Sequence, residues 1–137
     1  MKYVLDTNVL SALMKGQDVA VERLLATSRR EVALPEPVAA EIAYGISRLA
    51  PSRKRAQLEA RFALFRNELL VVPWTADVSN HFGRVKAALE KRGTLIEDFD
   101  IAIAAHALAY GAILASANGK HLRRIPGLDV EDWTSKK

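Results

Sequence analysis

Apolar and polar positions follow two rhythms along this chain. Tyr3-Val4-Leu5 is a short apolar run that ends in Asp6-Thr7-Asn8, residue types that cap helices. Val9 to Lys15 then reads as a short helix stopped by Gly16, and Val19 to Arg30 as a second, with Val21, Leu24 and Leu25 on one face. Glu31 to Leu34 is a brief strand candidate closed by Pro35 and Pro37. Val38, Ile42, Ile46 and Leu49 recur at steps of three and four residues, which predicts a helix from Val38 to Leu49. Pro51-Ser52 opens another helix, with Leu58, Phe62 and Phe65 on its inner stripe and arginines outside. Leu69 to Val72 reads as a buried strand ended by Pro73. Thr75 caps a helix that runs to about Arg92 and stops at Gly93. Asp98 to Tyr110 is an alanine-rich helix ended by Gly111, and Ala112 to Ala115 is a fourth strand. Pro126-Gly127 makes a turn before a last short strand over Leu128 to Val130.

Short apolar strands thus alternate with helices, and no hairpin signal joins any two strands. That order predicts an α/β fold with parallel strands and helices on both faces. Such sheets place ligands at the carboxyl ends of their strands. With no repeat, low-complexity segment or linker in view, the expectation is a single domain over 1–133 and a short frayed tail over 134–137. The stretch Ile101 to Ala117 has no formal charge apart from His106, yet it is short for a membrane span and broken by Gly111. A buried helix, a glycine stop and a buried strand account for it. Asp6 and Asn8 break any secretory apolar run at the start. The expectation is a cytoplasmic protein with no membrane partner.

Composition narrows the chemistry. The 137 residues include no cysteine, which excludes disulfides, thiolate metal sites and cysteine nucleophiles. Net charge is +4, a mild basic excess that permits a nucleic-acid partner without requiring one.

The acidic residues carry more information. Asp6 stands directly after the first strand, at the crevice edge of a parallel sheet; it also fits a plain helix cap. Glu41 shares a helix face with Val38 and Gly45, so it lies at the edge of the buried stripe. Gly45 leaves room one turn on, and a mid-helix glycine costs about 1 kcal/mol, which asks for a reason. An ion pair with an arginine is the alternative role for Glu41. Asp100 heads a stripe of Ile103, Ala104 and Ala107, where a charge wants a cation or donors; stabilising the helix dipole is its plainer role. Asp98 is an accessory acid at best, because two helical residues rotate direction by about 200°. Ser116 and Asn118 follow the fourth strand and both offer oxygen, although Ser-Ala-Asn-Gly also suits a simple turn.

Leu5-Asp6-Thr7-Asn8, Ala40-Glu41-Ile42-Ala43-Tyr44-Gly45, Asp100-Ile101-Ala102-Ile103-Ala104-Ala105-His106-Ala107 and the closing Ile125-Pro126-Gly127-Leu128 through Trp133 occur in that order. Together they resemble the pattern of PIN-domain ribonucleases, in particular the VapC toxins of type II toxin–antitoxin systems, over essentially the whole chain. The resemblance implies a three-layer α/β/α sandwich around a five-stranded, mainly parallel sheet. It also implies Mg²⁺- or Mn²⁺-dependent cleavage of RNA. The family's acidic positions fall on Asp6, Glu41 and Asp100; its fourth, often aspartate, is Asn118 here. Asp6 and Asp100 are then the main direct ligands. Glu41 holds water or acts as base, Asn118 reaches metal through water, and Thr7 and Ser116 support the site. The resemblance further implies an RNA substrate, a homodimer, and a VapB-like antitoxin that forms a hetero-oligomer with the toxin. Contact with DNA would come only through that antitoxin. An arginine from the antitoxin's tail suits a pocket of carboxylates.

Of the basic groups, Lys120 to Arg124 follows Asn118 most closely, so Lys120, Arg123 and Arg124 are the expected contacts to RNA phosphates. No RNA-stacking motif is visible. His81 and His121 read as surface residues and His106 as a hydrogen-bonded core residue. Two other readings of the chain remain: a structure-specific DNA nuclease, and a weakly active metal- or protein-binding module whose pocket lost an acid at Asn118.

Overall fold

The computed structural model describes residues 1–136; Lys137, the end of the expected tail, lies outside the described residues. The strands are β1 (Tyr3–Leu5), β2 (Val32–Pro35), β3 (Leu70–Val72), β4 (Ile113–Ala115) and β5 (Val130–Glu131). The helices are α1 (Thr7–Met14), α2 (Asp18–Leu25), α3 (Glu36–Ser47), α4 (Arg53–Glu68), α5 (Ala76–Lys91), α6 (Asp98–Ala109) and α7 (Gly119–Leu122). All four strand pairs are parallel, in the order β3-β2-β1-β4-β5.

Strand order fixes where chemistry can sit. From β1 the chain moves outward to β2 and β3, then returns across the sheet to β4 and β5. Right-handed crossovers in opposite directions put helices on opposite faces. Accordingly α1 packs with α2, α3 and α4, whereas α5 packs chiefly with α6. The direction reverses between β1 and β4, whose last residues Leu5 and Ala115 are paired. A crevice opens at the carboxyl ends of two strands at such a reversal.

The core lies between sheet and helices. Val4, Leu5, Leu34 and Leu114 are fully buried, as are Leu10 of α1, Val38 of α3 and Leu89 of α5. Helix α6 is buried from Ile101 to Ala107, which explains its lack of a polar face. Its first turn alone is charged, with Asp98 and Asp100. Gly111 ends it at φ 63°, a left-handed conformation that favours glycine. Among the described residues, no helix is long and apolar enough to cross a membrane.

Four local expectations need correction. The second helix ends at Leu25, and a 3₁₀ turn over Arg29–Glu31 replaces its last residues. Strand β3 is not buried: it is an edge strand with Leu70 and Val71 exposed. A one-turn helix, α7, follows β4 where only a turn was expected. The last strand begins at Val130, two residues late, after Gly127 turns at φ 78°.

Candidate active site

Two strand ends are stitched together at the reversal point. Asp6 caps α1: its Oδ1 accepts from the Thr7 backbone N–H at 2.8 Å. Its Oδ2 accepts from the Ser116 hydroxyl at 2.6 Å and from the Asn8 side-chain amide at 3.4 Å. Ser116 in turn accepts from the Asn118 backbone N–H, and Asn8 Oδ1 accepts from the Ala117 backbone N–H, both at 2.9 Å. Asp6 is 4% exposed. Burial pushes its carboxyl above the ordinary aspartate range, and the donors Ser116, Thr7 and Asn8 oppose that rise. Capping and membership of a cluster are therefore both roles of Asp6.

Two helices bring further carboxylates. Pro37 in the first turn of α3 suits a helix start, and Val38, Ile42 and Ile46 bury one face. Glu41 lies off that stripe, half-buried, and accepts a hydrogen bond from the Thr7 hydroxyl. Asp100 is half-buried in the first turn of α6. Burial first, then the charges of Asp6 and Glu41, raise its carboxyl above the ordinary range; His121 opposes this and Glu97 adds to it. Asp100 thus comes within Coulombic reach of both Asp6 and Glu41, and Thr7, which is bonded to Glu41, adjoins Asp6 in sequence, so three distant segments meet here. Among the described residues, no lysine or arginine pairs with any of the three.

The cluster is looser than a closed cage. Among the described residues, no three histidine, aspartate or glutamate side chains stand close enough to share one ion. Asp6 is turned to Ser116 and Glu41 to Thr7, while like charges about 4 Å apart repel by about 4 kcal/mol at an effective dielectric of 20. The donors are all oxygen. That set fits a hard divalent cation that keeps part of its water shell, as Mg²⁺ does.

The remaining expected residues divide. Asp98 turns away, as helical rotation requires, and pairs with Lys86 of α5 at 3.0 Å. Asn118 joins the network through its backbone, and its exposed side chain makes no capping hydrogen bond to α7. Lys120, Arg123 and Arg124 are exposed on or just after α7. His106 is a core residue: Nδ1 donates to the Ala102 carbonyl at 2.8 Å and the ring meets Trp74 edge-on at 5.6 Å. Burial pushes its imidazole below the ordinary range. His121, expected at the surface, is only half exposed there. Helix α7 brings it half-buried to the Asp100 side of the cluster. Its closeness to Asn118 in sequence was the available signal.

A parallel α/β/α sandwich with carboxylates at the reversal between β1 and β4 defines the class, and the PIN-domain model matches residues 3–128. The chain belongs to the PIN-domain family. It is 33% identical over 135 residues to ribonuclease VapC2 of Rickettsia felis, covering 97% of this chain and 98% of that one. It is 28% identical over 134 residues to the tRNA(fMet)-specific endonuclease VapC of Salmonella typhimurium, with the same coverage. Its fold superposes on VapBC2 of Rickettsia felis, solved bound to a DNA fragment from its promoter. That match has a TM-score of 0.87 at 31% identity and covers 97% of this chain and 99% of that one.

Proposed function

We propose that this protein is an endoribonuclease toxin that hydrolyses RNA phosphodiester bonds and is neutralised by a VapB-like antitoxin. One observation carries this reading: Asp6, Glu41 and Asp100 gather, without a neutralising lysine or arginine among the described residues, at the reversal point of a PIN-domain sheet. Full-length similarity to proteins named ribonuclease and endonuclease VapC supports RNA as substrate. Similarity to a VapBC complex supports the antitoxin, and DNA contact made through it. The toxin works in the cytoplasm, pairs as a homodimer and forms a hetero-oligomer with its antitoxin.

Asp6 and Asp100 would hold a divalent cation, Mg²⁺ or Mn²⁺, with Glu41 and Asn118 reaching it through water. Such a cation supplies a lowered water pKa and neutralises charge that builds on the phosphate. The residues of the chain do the rest. Ser116 and Asn8 fix the Asp6 carboxylate by donating to it. Thr7 donates to Glu41 and holds it facing the cluster. Glu41 accepts a proton from the attacking water as the water oxygen bonds to phosphorus, the P–O bond to the leaving ribose oxygen breaks, and that oxygen takes a proton from solvent. Lys120, Arg123 and Arg124 receive flanking phosphates.

Matched single-stranded RNA and DNA substrates, with transfer RNA as a further substrate, test this with the purified protein and Mg²⁺ or Mn²⁺. The expected result is RNA cleavage that Asp6→Asn abolishes and the antitoxin blocks. Equal cleavage by wild type and Asp6→Asn, or preferential cleavage of DNA, overturns it.

A further inference from the structure

Beside the carboxylates, between α3 and the start of α6, lies a cleft of about 490 Å³ lined by Ala40, Glu41, Tyr44, Glu97, Asp98 and Phe99. Two aromatic rings stand open to solvent in it: Tyr44 is 66% exposed and Phe99 46%. Exposed aromatics that share a cleft with a catalytic carboxylate mark a binding surface more than a folding need. Tyr44 lies one helical turn after Glu41, and Phe99 directly precedes Asp100. The two rings are therefore carried to the edge of the cluster by the same two helices that carry its acids. The guanidinium of Arg48, exposed on the next turn, lies over the Tyr44 ring at 5.7 Å. Among the described residues it pairs with no carboxylate.

This combination fits a nucleotide. A nucleobase stacks on an aromatic face whatever its sequence, and a neighbouring arginine serves its phosphate. We propose that Tyr44 and Phe99 form a stacking platform for an unpaired RNA base next to the scissile phosphate, with Arg48 on the adjoining backbone. The proposal rests on the nuclease reading and names the substrate as single-stranded RNA at this position. A second copy of the chain is the competing occupant, and charge argues against it. A two-fold contact sets a patch against itself, so Glu41 and Glu97, neither paired with a lysine or arginine among the described residues, would face the same two acids. A neutral base entering the cleft meets no such repulsion.

Binding of a short unstructured RNA to the full chain, measured with a chelator present so that nothing is cut, tests the platform. Tyr44→Leu and Phe99→Leu keep bulk and lose the π face; Tyr44→Phe keeps it. Each leucine variant should bind about tenfold more weakly, and Tyr44→Phe should bind as wild type does. On an abasic ribose-phosphate oligomer of equal length, wild type and leucine variants should bind alike. An equal loss on the abasic oligomer, no loss on RNA, or a change of oligomeric mass in the leucine variants by sedimentation overturns the platform. The last result would make the face an interface between copies. The nuclease reading fails separately: wild type that shows this binding pattern yet cuts no RNA with metal keeps the platform and loses the activity.

Discussion

The Ser116 hydroxyl lies 2.6 Å from Asp6 Oδ2 and donates to it across 110 positions of sequence. Ser116 is fully buried, so this donor cannot be replaced by water without rearrangement. It ties the end of β4 to the end of β1, where the sheet reverses direction. It also counteracts the effect of burial on Asp6.

Ser116→Ala should therefore leave Asp6 harder to ionise. The acid limb of the profile of kcat/KM against pH should move to higher pH, because the carboxylate then needs less acidic water to lose its proton. Activity near neutrality should fall roughly 10- to 100-fold, the usual effect of removing a partner of a ligand. An unmoved acid limb would deny Ser116 this part.

Thr7 tests the other side of the cluster. Thr7→Val keeps the shape and removes the hydroxyl that donates to Glu41. A loss of roughly 10- to 100-fold in kcat is expected, and Thr7→Ser should restore most of it. Loss in both variants alike would assign the effect to packing.

Stability should respond to the clustered charge with a definite sign. Asp100 is harder to ionise in the folded protein than its ordinary value of 3.8. A raised folded pKa means that the folded state binds more protons through that window, so stability falls as pH rises through it. At neutral pH, without metal, Asp100→Asn should melt at a higher temperature than wild type. The gap should close as pH drops below about 4, where both forms are uncharged. Thermal melts at neutral and acid pH check this, and a lower melting temperature for the variant at neutral pH would refute it.

The sandwich should also depend on its last buried residue. Trp133 is 1% exposed, meets Tyr3 edge-on at 5.1 Å and donates to Glu131 at 3.0 Å. Trp133→Ala should cost about 3–5 kcal/mol in urea unfolding, the range for emptying a large aromatic site.

The parts of this molecule readable from sequence are those with local causes. β1 and the cap at Asp6 are legible because an apolar run meets capping residues, and α6 because Gly111 stops an apolar helix. The rotation between Asp98 and Asp100 is legible from helix geometry, and Lys86 receives the one that turns away. The exposure of β3 is not legible: Leu70-Val71-Val72 reads as core, and only the order of the strands puts it at the edge. Helix α7 is a single turn, too short to show a period, so the placement of His121 was hidden with it. The bond from Thr7 to Glu41 spans 34 positions and arises only when α1 packs on α3. The exposed rings of Tyr44 and Phe99 likewise depend on how α3 meets α6.

Calorimetric titration of metal-free protein with Mn²⁺ tests the central claim most directly, with Mg²⁺ in parallel. Wild type should give a saturable heat, and Asp6→Asn or Asp100→Asn should lose most of that affinity while keeping the folded spectrum. Unchanged binding in both variants, or no binding by the wild type, would contradict the assignment of these carboxylates.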